Sequence, residues 1–371
     1  MAGIYFSRVT ARGIGKRDSF VDFTPGLNII CGRSNTGKTA VARCIDFALG
    51  KMGDFPIDET FGYDEVELLV QAADGTISIT RKFHKDQVDV ITNIPGMMSD
   101  KYNLKYSQSQ RNGLPVLSDL LLSAMGIPVP CMVIKNIDFK RVPLTLRTFL
   151  HILLFLNNDI GKVESVLEPK ESFLQLKREM SVIDDFAAVW EKDLRNPPVE
   201  PESALQYHPR EHFDDDFKRL INQYYKDILR ECNYSTEPIV ANFNISDFDI
   251  EINGHKKSTH EGQGYTSFVN SVTALTFRHY LAHHGKYYPG FLIIDTPLLG
   301  LDQGVADSAP ESMCSGLFRY FMNHQEEGQL IIIENSKNLP DLDYEAAGAN
   351  VITFTKGLTE GRPGFLHGIV E

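Results

Sequence analysis

Gly32-Arg33-Ser34-Asn35-Thr36-Gly37-Lys38-Thr39 fits the phosphate-binding pattern G-x-x-x-x-G-K-[ST] at every specified position. Leu27 to Cys31, just before it, reads as a short buried strand, and Ala40 to Leu49, just after it, reads as a helix that stops at Gly50. That order of strand, loop and helix is the setting in which the pattern works. Glycines let the backbone close around an anion, and the loop amides and helix N-terminus point at the phosphates. Lys38 neutralises the β and γ charge, and the Thr39 hydroxyl reaches Mg²⁺. The nucleotide-contacting set is therefore Gly32, Ser34, Asn35, Thr36, Gly37, Lys38 and Thr39. With glycine near ~7% of residues, a chance match in a chain of this length is on the order of a per cent.

The 371 residues suffice for a large core, either as two or three domains or as one large α/β unit. A composition of 42% hydrophobic and 23% charged residues excludes disordered and collagen-like classes. No apolar run reaches the length of a membrane span, and Met1 to Phe6 lack the basic start and apolar core of a signal peptide, which predicts a cytoplasmic protein with no membrane partner. Cys31, Cys44, Cys131, Cys232 and Cys314 have no C-x-x-C spacing, which argues against a zinc site or a disulfide framework. A net charge of -12 disfavours a surface given over to nucleic acid. Arg8, Arg12, Lys16 and Arg17, and separately Lys256 with Lys257, form local basic clusters that are either solvated faces or contacts for DNA or nucleotide.

Strand patterns at Ile4–Thr10, Ser19–Phe23 and Leu27–Ile30 lead into the loop as a β-lobe, with a turn at Pro25-Gly26. Val66–Val70 and Ile77–Phe83 flank Asp74-Gly75, and Val88–Ile91 follows, which reads as an antiparallel meander. Pro115–Met125 and the very apolar Leu146–Leu156 are predicted as buried helices of a helical subdomain. Glu168–Leu194 and Phe213–Cys232 are charged helical stretches about the breaker Pro197–Pro201, a short hairpin without sustained heptads. Strands return after Ile239, with Ile245–Ile252 running to a turn at Asn253-Gly254. A long helix at Tyr265–His284 follows, then the buried strand Phe291–Ile294, a helix near Pro310–Asn323, and strands at Gln329–Ile333 and Val351–Phe354.

A phosphate loop alone does not separate kinases, GTPases and ATPases. The second signal is Asp295, at the end of an apolar strand, as a Mg²⁺-positioning acid should be. Asp295-Thr296-Pro297-Leu298-Leu299-Gly300-Leu301-Asp302 resembles the D-E-P-x-x-x-L-D run of ABC-type ATPases, which puts Asp302 at the D-loop aspartate. Gly37-Lys38-Thr39 through Cys44-Ile45-Asp46-Phe47-Ala48-Leu49-Gly50 resembles the SMC, SbcC and RecF/RecN branch, in which "FALG" follows the loop. The resemblance implies an α/β P-loop fold, an ABC-type head with an antiparallel β-lobe, a helical subdomain and a short or deleted coiled-coil arm. Its implied domains are an N-terminal lobe over 1–165, the arm over 166–235 and a C-terminal lobe over 236–371.

By the same resemblance, Ser258 to Tyr265 stand for the signature segment, keeping Gly262 and Gln263, which would reach the γ-phosphate of an opposite head. The bland alternative is a glycine turn capping a core helix. Thr296 occupies the place of the family's catalytic glutamate, and Asn335, preceded by Glu334, that of the switch histidine. A threonine is no general base near neutral pH, so hydrolysis needs Glu334 or another group, or is slow. The glutamine-loop position falls in Leu156–Ile160, with Asn158 or Asp159 reaching Mg²⁺ or water. His279, His283 and His284 have no H-E-x-x-H pattern and no third ligand near them in sequence, and are read as residues suited to a helix C-terminus. The implied cofactors are ATP and Mg²⁺, with Thr39 and Asp295 on the metal. The implied partners are a second head, DNA, and a nuclease or other effector. The implied settings are DNA repair, chromosome organisation and SMC-containing anti-phage defence. A non-hydrolysing ATP switch that controls such an effector is the competing reading.

Overall fold

The computed structural model describes residues 3–53, 55–134, 141–150, 154–155, 215–235, 238–244, 249–256, 263–298, 311–356 and 362–367. The chain opens with strands β1 (Tyr5–Arg12), β2 (Ser19–Asp22) and β3 (Leu27–Gly32), then helix α1 (Lys38–Ala48). Strands β4 (Glu65–Ala72), β5 (Gly75–Lys82), β6 (Gln87–Thr92) and β7 (Asp100–Asn103) follow. Next come α2 (Tyr106–Asn112), α3 (Leu117–Ala124), the pair β8 (Met132–Ile134) and β9 (Arg141–Pro143), α4 (Leu146–Phe149) and β10 (Leu154–Phe155). The second half holds α5 (Asp215–Glu231), β11 (Ala241–Asn244), β12 (Asp249–Ile252), β13 (His255–Lys256) and α6 (Gln263–His284). It closes with β14 (Phe291–Asp295), α7 (Glu311–Asn323), β15 (Gln329–Asn335), β16 (Asn350–Thr355) and β17 (Arg362–Pro363).

Two six-stranded sheets organise these elements. The antiparallel sheet, in order β2-β1-β4-β5-β6-β7, alternates as a one-sided sheet should: Val66, Leu68, Val70, Ile77 and Ile79 point inward and their neighbours outward. The parallel sheet, in order β10-β14-β15-β3-β16-β17, is covered on both faces, and its central strands are continuous apolar runs. Helix α1 joins both sheets in one core through Val41, Ala42 and Ile45. Two polar side chains fasten the sheets at specific points. Buried Arg81, from β5, donates to the carbonyls of Phe47 (2.6 Å) and Lys51 (2.7 Å), closing the C-terminal end of α1. Buried Gln329, at the start of β15, accepts from the Phe6 amide (2.9 Å) and donates to the Phe6 and Thr24 carbonyls.

The structure corrects two predicted elements. The helix expected over Leu146–Leu156 is only α4, and Leu154–Phe155 instead pair as β10 with Ile293–Ile294 of β14. A short apolar run suits a buried parallel strand as well as a buried helix, and periodicity does not separate them. The third strand of the expected β-lobe, β3, lies in the parallel sheet between β15 and β16. Strands β7 and β17 and helix α2 were not anticipated. Of the expected hairpin, Glu168–Leu194 and Pro197–Pro201 fall outside the described residues. Its later helix is α5, which buries Phe217, Ile221, Tyr225, Ile228 and Leu229 along one face. That face lies on α6, where the Phe217 and Tyr280 rings meet edge to face at 5.0 Å.

Candidate nucleotide site

The site gathers at the carboxyl edge of the parallel sheet, where open α/β sheets place their ligands. Register fixes it: Asp295 pairs with Ile333, Glu334 with Cys31, and Asn335 with Gly32, so three strand ends carry the two acids and the loop side by side. The loop starts at Gly32, where an added Cβ would stand 2.5 Å from the Phe354 carbonyl of the adjacent strand. It ends at Gly37, in the left-handed conformation with φ 75°, which directs the chain into α1. No side chain caps α1 and its first turn holds no acid, which leaves the positive end of the helix facing the loop.

Lys38 is buried, and its Nζ donates to the carbonyls of Gly32 (2.9 Å) and Arg33 (2.7 Å), folding back over the loop. Burial lowers its pKa below the ordinary lysine value, against the opposing pull of Glu334 and Asp295. Thr36 is buried and bonds the Arg33 carbonyl, whereas Ser34 and Asn35 are exposed. Ser34 Oγ and Asn335 Nδ2 lie 3.1 Å apart, which ties the loop to the end of β15. Thr39 is partly exposed in the first turn of α1. The hydroxyl of Thr39 and the carboxylate of Asp295 are hard oxygen donors, the kind Mg²⁺ takes.

Asp295 and Glu334 are both buried. Glu334 accepts from the amides of Asn335 (2.6 Å) and Leu298 (3.2 Å) and from Asn338 Nδ2 (3.2 Å). Burial nevertheless pushes its pKa up to about 7, and the nearby Asp295 charge adds to the rise. Thr296 does not offer its hydroxyl to the site: Oγ1 turns back to the Asp295 carbonyl at 2.8 Å. Its backbone sits at φ 55°, an uncommon conformation for a β-branched residue. The structure therefore brings Gly32, Ser34, Asn35, Thr36, Gly37, Lys38, Asp295, Thr296 and Glu334 together. Gln263 is the first residue of α6. Asp159, Gly262 and Asp302 lie outside the described residues.

A side of the site that the motifs do not mark comes from the chain's end. The Phe365 amide donates to the Thr36 carbonyl (3.2 Å), and the Gly364 amide to Thr355. Together with Ile57, Phe61, Lys356 and Ala40 this segment borders a cleft of about 170 Å³ beside the loop. The visible signal was Pro363-Gly364 next to Phe365, too short to stand out from any other turn.

The family model for the AAA domain matches residues 12–116. A stretch of 40 residues, 11% of this chain, is 48% identical to the DNA repair protein RecN of Aquifex aeolicus (strain VF5). Both matches agree with the resemblance carried by the phosphate loop and the helix after it. The matched stretch spans 8% of the length of that RecN. Among solved structures, the chain is similar to the Smc head domain with an extended coiled coil bound to the C-terminal domain of ScpA, derived from Pyrococcus furiosus (14% identity, 91% of each chain, TM-score 0.46). It is also similar to the SMC head domain from Thermotoga maritima (11% identity, 94% of each chain, TM-score 0.45). A third is the recombination mediator RecF with ATP (13% identity, 92% of this chain and 96% of that one, TM-score 0.41).

Two expectations about the protein's surface can be set against the structure. Arg8 and Arg12 of the basic cluster are engaged by carboxylates: Arg8 by Asp22 at 2.5 Å, and Arg12 by Asp18 at 3.1 Å and Glu67 at 2.6 Å. Lys16 and Arg17 stay exposed. Among the described residues, no helix is long and apolar enough to cross a membrane.

Proposed function

We propose that the head binds Mg-ATP at the edge formed by Gly32–Thr39, Asp295 and Glu334, and that two copies engage around the nucleotide. Engagement would be coupled to handling of DNA, in repair or in anti-phage defence. The observation that carries the reading is the convergence of Asp295 and Glu334, on adjoining strand ends, with Lys38 at the start of α1, whose pKa both acids act to raise. Bound Mg²⁺ would supply charge neutralisation of the phosphates, held by Thr39 and Asp295. Lys38 would leave its two carbonyl partners for the β and γ phosphates, and the amides at the start of α1 would orient them. Glu334 would take the proton of the attacking water, since a carboxyl poised near 7 is matched to that task. Asp159 is the next candidate for the base. Gly262, Gln263 and Asp302 would complete the site from the opposite head.

A second reading is a slow or non-hydrolysing switch that holds a dimer and controls an effector such as a nuclease. It is favoured by Glu334, which is sealed from solvent with both carboxylate oxygens already accepting hydrogen bonds. Under either reading Lys38→Ala should abolish ATP binding in calorimetry and the ATP-driven shift from monomer to dimer in sedimentation. Unchanged affinity in that variant would remove the anchor of both.

A further inference from the structure

At the opposite, amino-terminal edge of the parallel sheet the fold gathers a group of side chains that the nucleotide site does not use. His279 and His283 stand one turn apart near the end of α6, with ring centroids separated by 4.3 Å. The turn before β15 brings Glu327 to them, and one ligand-capable atom each of His279, His283 and Glu327 lie within 4.8 Å of one another. Sequence offered no third group near these histidines. Packing of α6 against the turn before β15 supplies it across 48 positions.

The hydrogen bonds fix which nitrogen of each ring is open. His279 Nδ1 lies 2.5 Å from Glu327 Oε1, and His283 Nδ1 lies 2.8 Å from the His279 carbonyl. A carboxylate and a carbonyl only accept, so both Nδ1 atoms carry a proton, and the lone pair that each imidazole can offer a metal is the one on Nε2. Glu327 is itself locked in place. Its Oε2 accepts from Arg278 Nη1 at 2.9 Å, and its backbone carbonyl accepts from the Tyr288 hydroxyl. Arg278 is fully buried and also donates to the carbonyls of His324 and Gly328. A carboxylate that holds the far nitrogen of a histidine is the usual outer partner of a metal-ligating imidazole. His283 and Glu327 also border a cleft of about 430 Å³, which has room for water ligands.

We propose that His279 and His283 bind one borderline divalent transition-metal ion of the zinc class through their Nε2 atoms, with Glu327 orienting His279 and water filling the open positions. Imidazole donors favour Zn²⁺, Ni²⁺ and Cu²⁺ over Mg²⁺, which separates this site from the nucleotide edge. The ion would stiffen the last turn of α6 against the turn before β15. His324 is shared with a neighbouring pair: its Nδ1 lies 3.4 Å from Glu327 Oε1 and its Nε2 3.2 Å from Glu231, so it supports Glu327 without being one of the two proposed ligands.

The test uses the full chain, stripped with chelator and titrated with ZnCl₂ by calorimetry in excess MgCl₂ without nucleotide. One equivalent should bind. His283→Ala should weaken binding by at least about tenfold, and Glu327→Gln by a similar factor, the usual effect of losing an outer partner. His283 is exposed, so its variant stays folded even if the Glu327 variant does not. His284→Ala serves as the control, because that Nε2 contacts the Tyr224 hydroxyl at 2.7 Å; it should retain wild-type binding. Absence of saturable one-to-one binding, or equal binding by wild type and His283→Ala, overturns the proposal, as does loss of the bound ion to Mg²⁺.

Discussion

Glu327 and Glu334 stand at the two ends of β15, one just before the strand and one near its close, and both are buried. Burial opposes the charged form of each, yet their fates differ. Glu327 is held down at about 2, because hydrogen bonds from His279 and His324 and the charge of Arg278 overcome the desolvation. Glu334 is pushed up to about 7 by its burial, to which the like charge of Asp295 adds, because its donors, two amides and an asparagine, carry no formal charge and offset the desolvation only in part. The lesson is that strand position and burial do not set the chemistry of a carboxylate; the formal charge of its partners does. At the amino edge the charge is balanced and the group serves structure. At the carboxyl edge an incoming nucleotide and cation would change the balance, and the group is left poised.

The largest effect should come from breaking the balanced end. Glu327→Gln leaves Arg278 buried without its counter-charge, and should cost about 3–5 kcal/mol in denaturant unfolding. A loss below about 1 kcal/mol would mean that the pair contributes no more than an exposed one.

The poised end should show itself in pH. For Glu334 the folded pKa, about 7, is above its ordinary value of 4.5, so the folded state holds the proton more tightly than the unfolded state. Its contribution is fully present below pH 4.5 and is lost as pH rises toward 7. The fall should be of the order of 3 kcal/mol across that window. Glu334→Gln should flatten it, and an identical slope in wild type and variant would assign the raised pKa to another group. The same substitution should lower ATP turnover by about a hundredfold while ATP still binds, if Glu334 is the base. Brisk turnover indifferent to Glu334→Gln would sink both that role and the switch reading, and point to Asp159.

The two ends also differ in how much of them could be read from sequence. Gly32–Thr39 was legible because a phosphate cradle needs fixed residue types at fixed spacing, all within eight consecutive positions. Asp295 was legible because a run of apolar residues buried on both sides ends in a charge. The parallel sheet and the meander followed from the same patterns, but Leu154–Phe155 did not: a strand and a buried helix look alike over so short a stretch. Glu327 was invisible as a partner for His279, since only the docking of α6 on the turn before β15 joins them. The state of Glu334 was equally hidden. Its candidacy came from its place beside Asn335, whereas its raised pKa comes from burial and the like charge of Asp295.

That turn carries the smallest prediction. The Thr296 amide bonds the Ile333 carbonyl at 2.7 Å, which fastens the end of β14 beside Glu334 and holds Thr296 at φ 55°. A β-branched residue in that conformation costs about 1 kcal/mol or more, whereas asparagine is tolerated there because its short polar side chain bonds locally. Thr296→Asn gives up the hydroxyl bond to the Asp295 carbonyl, which offsets about half of the gain. The net should be a stabilisation of a few tenths of a kcal/mol, read as a small rise in Tm with the pH slope of Glu334 preserved. A clear loss of stability together with a flattened slope would show that the threonine hydroxyl, and not the backbone bond, holds the turn over Glu334. The contrast between the two glutamates would then rest on a side chain that the ABC-type pattern replaces with an acid.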